Sequence, residues 1–212
     1  MQLSAYAYTN RGGRDHNEDS LRASAEQGIF VLADGLGGHR CGEVASQAAV
    51  DAIFTGMAQA EALEEASLLD LFRSANKELL RRQAQPGQEE MRTTAVALKL
   101  AGSTAVWAHI GDSRLYRFSN GELAGVTADH SVTYRKFLGG EISFVADTPD
   151  AARSRLLRVL GKEPCRPEAG QAAVSPGDAF LLCSDGFWEF VYNEEIQADL
   201  CRARTPEEWA EG

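Results

Sequence analysis

Residues 93–126 read T-T-A-V-A-L-K-L-A-G-S-T-A-V-W-A-H-I-G-D-S-R-L-Y-R-F-S-N-G-E-L-A-G-V. Two apolar runs, 93–100 and 104–111, flank a Gly102-Ser103 break, and their alternation and β-branched residues are strand texture. A third run, R-L-Y-R-F at 114–118, meets E-L-A-G-V across S-N-G, and an Asn-Gly pair between such runs announces a hairpin. Strands follow one another here with no helix between them. Upstream, Val44, Ala45, Ala48, Ala49, Ala52, Ile53 and Met57 recur at three- and four-residue spacing, the mark of a helix over 42–57 with one buried face. Leu68, Leu71, Phe72, Ala75 and Leu79 repeat the pattern after Ser67, an expected N-cap, and Pro86-Gly87 closes the pair. Downstream, residues 131–138 and 150–160 read as helices and 179–183, A-F-L-L-C, as a strand. This order predicts an α+β protein, mostly antiparallel sheets covered by helices, and not the regular alternation of a doubly wound parallel sheet.

At 212 residues with 44 % hydrophobic content the chain suits a single globular domain over residues 1–212, large enough for a two-layer core. Lys plus Arg number 21 against 31 Asp plus Glu, a net charge of −10. Such a surface repels nucleic acid and anionic membranes, so neither is an expected partner. The start M-Q-L-S-A-Y-A-Y-T-N is not a basic stretch followed by an apolar one, and no apolar run approaches the ~20 residues of a membrane span, so a cytoplasmic location is expected. Cys41, Cys165, Cys183 and Cys201 form no C-x-x-C pair, which speaks for reduced thiols and against a zinc or disulfide framework.

The chemistry is announced at strand ends. F-V-L-A-D-G-L-G-G-H at 30–39 delivers Asp34 into a glycine loop, A-F-L-L-C-S-D-G at 179–186 repeats the device at Asp185, and W-A-H-I-G-D at 107–112 ends on Asp112. R-D-H-N-E-D at 14–19 adds Glu18 and Asp19. One Asp-Gly after a strand is ordinarily a turn. Several carboxylates delivered to one end of a sheet raise one another's pKa values unless a cation sits between them, and a metal resolves this. Oxygen-only donors select hard cations, Mg²⁺ or Mn²⁺, over zinc or copper, and calcium is disfavoured because no D-x-D-x-D-G loop is present. Gly35 and Gly186 are expected to let the backbone turn sharply, a glycine carbonyl being a further ligand. Two such cations lower the pKa of a shared water and clamp phosphoryl oxygens, which is the chemistry of hydrolysis. Arg14, four residues before Glu18, has the guanidinium fork that matches two phosphate oxygens.

These residues resemble the metal-dependent, type 2C protein serine/threonine phosphatases, particularly short stand-alone bacterial members. The matching text is R-D-H-N-E-D-S at 14–20, V-L-A-D-G-L-G-G-H at 31–39 with G-E-V-A-S at 42–46, T-T-A-V at 93–96, H-I-G-D-S-R at 109–114, T-A-D-H-S at 127–131, R-V-L-G at 158–161 and S-D-G-F-W at 184–188. The resemblance implies a four-layer αββα sandwich, two mostly antiparallel sheets flanked by helices. It implies Asp34 as the ligand shared by two Mn²⁺ or Mg²⁺ ions, the Gly35 carbonyl and Asp185 as further ligands, and Asp19 with Glu18 as outer ligands of the second ion. Asp112 with Asp185 resembles a weaker third site, Arg14 the phosphate-binding arginine, and residues 132–148 a flap over the substrate. Substrates would be phosphoserine and phosphothreonine proteins, made by an opposing Ser/Thr kinase. A general acid would help the alkoxide leave, and His39 is the candidate, with a loop-ordering histidine as the alternative. His109 and His130 are expected to be structural, hydrogen-bonded residues, and His16 has no assigned role.

The chain departs from the family pattern in three places. No Asp-Asn pair follows Asp185, so the sequence is expected to lack that motif and the last strand. Arg92 stands where the family has glycine, and F-V-A-D-T-P-D at 144–150 is unusual flap text. Thr205, Pro206 and Glu208 announce a helix N-terminus close to the last residue. The absence of C-x-x-x-x-x-R excludes a cysteine-nucleophile phosphatase, the absence of D-x-D-x-[TV] speaks against an aspartyl-phosphate enzyme, and no G-x-x-x-x-G-K-[ST] loop supports an NTPase. A catalytically silent regulatory module of the same fold is the alternative, and a phosphatase of small esters a third reading.

Overall fold

The computed structural model describes residues 2–36, 41–60, 64–141 and 155–212. Strands β1 (Asp19–Ser24) and β2 (Ile29–Leu36) precede helices α1 (Cys41–Gln59) and α2 (Glu65–Arg82). Then come β3 (Arg92–Thr93), β4 (Ala95–Ala101), β5 (Thr104–Ile110), β6 (Arg114–Ser119), β7 (Glu122–Val126) and α3 (Val132–Leu138). Strands β8 (Glu168–Ala173) and β9 (Ala179–Cys183) and helices α4 (Asp185–Trp188), α5 (Asn193–Arg202) and α6 (Pro206–Glu211) complete the described elements. One sheet runs β1-β2-β4-β5-β8 with β3 beside β2, the other β7-β6-β9, and every pairing within them is antiparallel.

Side-chain alternation sorts the residues into layers. From β2, β4 and β5, Ile29, Val31, Ala33, Ala95, Ala97, Val106, Ala108 and Ile110 face α1 and α2, where Ala45, Ala49, Ile53, Met57, Leu68 and Phe72 complete one core. The intervening residues Leu32, Val96, Leu98 and Ala105 turn to the second sheet and meet Leu115, Phe180 and Leu182. Beyond that sheet, Tyr116, Phe118 and Cys183 pack on α3 to α6 through Tyr134, Trp188, Ile196 and Trp209. Helix, sheet, sheet, helix is the expected four-layer order.

The β6–β7 hairpin turns at Asn120 and Gly121, both at positive φ (53° and 78°), as a type I′ turn requires. Two expectations need correction. Helix α2 begins before Ser67: its N-cap is Glu64, and the bond from Leu68 N to Glu64 O closes a first turn that already contains Ser67. The helix expected over 150–160 is not helical at 155–160; residues 150–154 lie outside the described part. There Leu156 bridges Ser131 and Leu160 bridges Thr93, so tertiary partners take the backbone groups a helix would have used. The announced N-terminus at Thr205 is borne out, its Oγ1 accepting from Glu208 N at 3.1 Å. Although α6 is too short to be stable alone, Trp209 anchors it, its ring edge-on to Phe118 at 5.4 Å and its Nε1 donating to Ile196 O.

Candidate active site

The β1–β2 register places Asp19 opposite Asp34. Asp34 has the parity of Leu32, so its carboxylate continues the inter-sheet layer past the point where apolar residues stop. Its backbone is clamped by the neighbouring threonines: Asp34 N donates to Thr94 Oγ1 (2.9 Å), Thr94 N donates to Asp34 O (2.9 Å), and Thr93 Oγ1 donates to the same carbonyl (2.7 Å). Thr94 Oγ1 also shares a hydrogen bond with Ser113 Oγ at 2.7 Å, which ties Asp34 to the turn carrying Asp112.

That turn needs Gly111, which sits at φ +104° and whose Cβ, if present, would lie 2.6 Å from Thr94 Cγ2. Asp112 itself is buried, and Trp188 Nε1 donates to its carbonyl at 3.0 Å. The Trp188 ring lies 3.6 Å below the Arg114 guanidinium, which is paired through two bonds to buried Asp129. Asp185 opens α4, three residues before Trp188. Ser184 before it donates Oγ to Asp19 Oδ2 at 2.8 Å, bringing the two ends of the chain's acidic motifs together.

Four carboxylates therefore meet at one end of the sandwich. Burial, then repulsion from Asp185, Asp19 and Asp112, pushes Asp34 up from 3.8 to about 9, while Arg14 pulls the other way. Burial followed by Asp185 and Asp129 raises Asp112 to about 8, and burial also raises Asp19. Oxygen donors that cannot all ionise together are the donor set a pair of hard divalent cations would satisfy, and the residues fit that group.

Arg14 is exposed at the rim. Glu18 is placed differently: its carbonyl accepts from Gly35 N and Ser46 Oγ, and its Oε1 lies where a Cβ on Gly42 would come within 2.8 Å, at the start of α1. The glycines are not sharp turns. Gly35 continues β2, and a Cβ there would meet Gly42 O at 2.1 Å, so close backbone approach between strand and helix is what demands glycine. Gly186 lies within α4. His39 lies outside the described residues, as does the flap beyond residue 141; the described part of 132–148 begins with α3.

The protein phosphatase 2C model matches residues 9–208. The chain belongs to the protein phosphatase 2C family. It is 35 % identical over 214 residues to the serine/threonine phosphatase stp of Listeria monocytogenes, covering 96 % of this chain and 85 % of that protein. It also superposes on the crystal structure of the serine/threonine phosphatase PstP/Ppp of Mycobacterium tuberculosis with TM-score 0.81 at 33 % identity, covering 93 % of this chain and 84 % of that one. A PstP catalytic domain in complex with two manganese ions matches equally, with TM-score 0.81, 33 % identity and coverage of 93 % and 83 %.

Within this family frame, the supporting residues Thr94, Ser113, Ser184 and Trp188 escaped sequence reading. The T-T doublet and the serine before Asp185 were visible, but only the fold shows which acid each hydroxyl reaches. A separate group, His109, His130 and Glu168, brings ligand-type atoms within 4.8 Å of one another. It is not built for a cation. A metal-binding histidine donates its other ring N–H, whereas His130 Nδ1 accepts from Gly111 N at 3.2 Å, and Arg158 already occupies the space at Nε2 at 3.1 Å. Both rings are the structural histidines expected: burial lowers His109, and burial with His109 and Arg158 brings His130 to about 4, so both are neutral at pH 7.

Proposed function

We propose that this chain, a metal-dependent protein serine/threonine phosphatase of the 2C family, acts through Asp34, Asp19, Asp112, Asp185, the Gly35 carbonyl and Arg14. The observation that carries the reading is the convergence of the four buried or half-buried aspartates on one end of the inter-sheet layer. Two divalent cations, Mn²⁺ or Mg²⁺, bound there would activate water near neutral pH and hold the phosphoryl oxygens. Asp34 would serve both ions, Asp185 and Gly35 one of them, and Asp19, held by Ser184, the other; Asp112 with Asp185 would form a weaker third site. Glu18, turned toward α1, would act through Gly35 and Gly42. Arg14 would orient the phosphoryl group with its two-toothed fork. His39 is the proposed proton donor to the departing alkoxide, since His109 and His130 are committed to internal bonds.

The catalytically silent alternative would be marked by lost metal carboxylates, and Asp19, Asp34, Asp112 and Asp185 all stand in the sequence. A single phosphatase domain over residues 1–212, a cytoplasmic location and a Ser/Thr kinase as the opposing enzyme complete the proposal. Among the described residues no helix is long and apolar enough to cross a membrane. The test is phosphate release from a phosphothreonine peptide with Mn²⁺ and with chelator, using Asp34→Asn as blank. Release that needs both metal and Asp34 is expected; release unaffected by chelator or by Asp34→Asn would overturn the site.

A further inference from the structure

Two stacked, buried histidines stand behind the acidic cluster and take no part in the chemistry above. Their rings lie 4.6 Å apart and within 14° of parallel. His109 Nε2 donates to Ala128 O at 2.9 Å, which fixes that ring to the segment leading into His130. His130 then holds residue 111 at both of its polar groups: His130 N donates to Gly111 O at 2.9 Å, and Gly111 N donates to His130 Nδ1 at 3.2 Å. An N–H donor at Nδ1 means that nitrogen carries no proton, so the neutral ring bears its hydrogen on Nε2. Nε2 faces the Glu168 carboxylate at 3.4 Å, and Arg158, whose Nη1 lies 3.1 Å from Nε2, is drawn to the same carboxylate. Glu168 lies opposite His109 in the β5–β8 register, so the tautomer-selecting acid is anchored in the first sheet.

We propose that His130 is a positioning residue for Asp112, gripping the Gly111 peptide so that the carboxylate next in the chain is aimed into the acidic cluster. The inference rests on the reading of Asp112 as a cation ligand. The alternation of β5 ends at Ile110, and from there the chain must reverse at a φ of +104° that only glycine tolerates. Such a turn has no ladder partners to define it. His130 supplies both missing partners from one side, while Trp188 Nε1 holds the Asp112 carbonyl from the other. An apolar residue in place of His130 would fill the space and leave the Gly111 N–H buried and unpaired. Glu168 acts one step further back, its carboxylate at Nε2 keeping the hydrogen off Nδ1, and Arg158 holds that carboxylate in place.

The test compares wild type, His130→Leu, His130→Asn, Asp112→Asn and the His130→Leu/Asp112→Asn double variant. Mn²⁺ binding to chelator-stripped protein is read by calorimetry, and thermal midpoints are recorded alongside. Groups behind a metal ligand typically contribute roughly 10- to 100-fold in affinity. His130→Leu is expected to weaken the Asp112-dependent part of Mn²⁺ binding by that factor. His130→Asn, whose Oδ1 can accept where Nδ1 did, restores most of it, and the double variant binds no more weakly than Asp112→Asn alone. Wild-type Mn²⁺ binding by His130→Leu with a lowered midpoint would make His130 merely structural and overturn the proposal. Unchanged binding by Asp112→Asn would overturn the cation reading of Asp112 itself, a different failure. Should His130→Leu not fold, nitrogen NMR of the wild type decides: an unprotonated Nδ1 and protonated Nε2 are expected, and the opposite tautomer refutes the grip.

Discussion

Asp34→Asn is expected to make the metal-free protein more stable while abolishing its activity. Burial and the neighbouring acids carry the Asp34 carboxyl from 3.8 to about 9. Between those values the folded, metal-free chain keeps a proton that the unfolded chain has released, so every rise in pH favours unfolding, by about 1.4 kcal/mol per pH unit. The penalty is absent below pH 3.8, grows through the neutral range and is complete above about pH 9. At pH 7 it amounts to about 4 kcal/mol. Asparagine keeps the shape and cannot ionise. Urea unfolding in chelator should therefore show the variant more stable at pH 7 by up to that amount, with the gap shrinking steadily toward pH 4. Added Mn²⁺ should stabilise wild type, by ~2.7 kcal/mol at a hundred times its Kd, and leave the variant near its chelator value. A variant less stable than wild type in chelator at pH 7, or a gap that ignores pH, would refute the account of Asp34 as an acid raised by burial and then by its neighbouring carboxylates.

Arg14→Ala should lower kcat/KM for a phosphothreonine peptide by about 1.5–3 kcal/mol, mostly through KM, because it removes charged hydrogen bonds to the phosphoryl group. Mn²⁺ affinity measured by calorimetry should hardly change, and an equal loss in metal affinity would reassign Arg14 to the acids. Thr94→Val keeps the volume but deprives the buried Asp34 N–H of its acceptor, at an expected cost of about 1–3 kcal/mol in urea unfolding. Thr94→Ser should recover most of this; equal destabilisation by serine would point to methyl packing and away from the hydroxyl.

Antiparallel sheets covered by helices were legible from the element order and the Asn120-Gly121 turn, but β2 and β4 are apolar on both faces, so the four-layer order came with the family resemblance. Local text also located the acids, since Asp34, Asp112 and Asp185 each follow an apolar strand. What the text concealed was decided at long range. The run 155–160 has helical residues, yet its backbone groups are claimed by His130, Ser131 and Thr93. Gly35 read as a sharp turn and is a contact point, because the neighbour that excludes a side chain is Gly42 on α1. Glu18 and Asp19, adjacent in sequence, diverge: Glu18 points toward the helix, while Asp19 meets Ser184 across the sandwich. No window of sequence contains the pairings of Thr94 with Ser113 or of His130 with Gly111.

Strand β2 gives its odd-numbered residues to the helix-facing core and its even-numbered ones to the layer that ends in Asp34. Chemistry and stability thus ride on one strand as two interleaved series, and a shift of one residue would exchange them. Ala33 would then stand among the acids and Asp34 against Ala45 and Ala49. Point substitutions can drift in either series independently, but a single-residue insertion or deletion between Ile29 and Leu36 would lose both at once. Length changes over evolution should therefore collect in the turn at residues 25–28, leaving the strand itself constant in length.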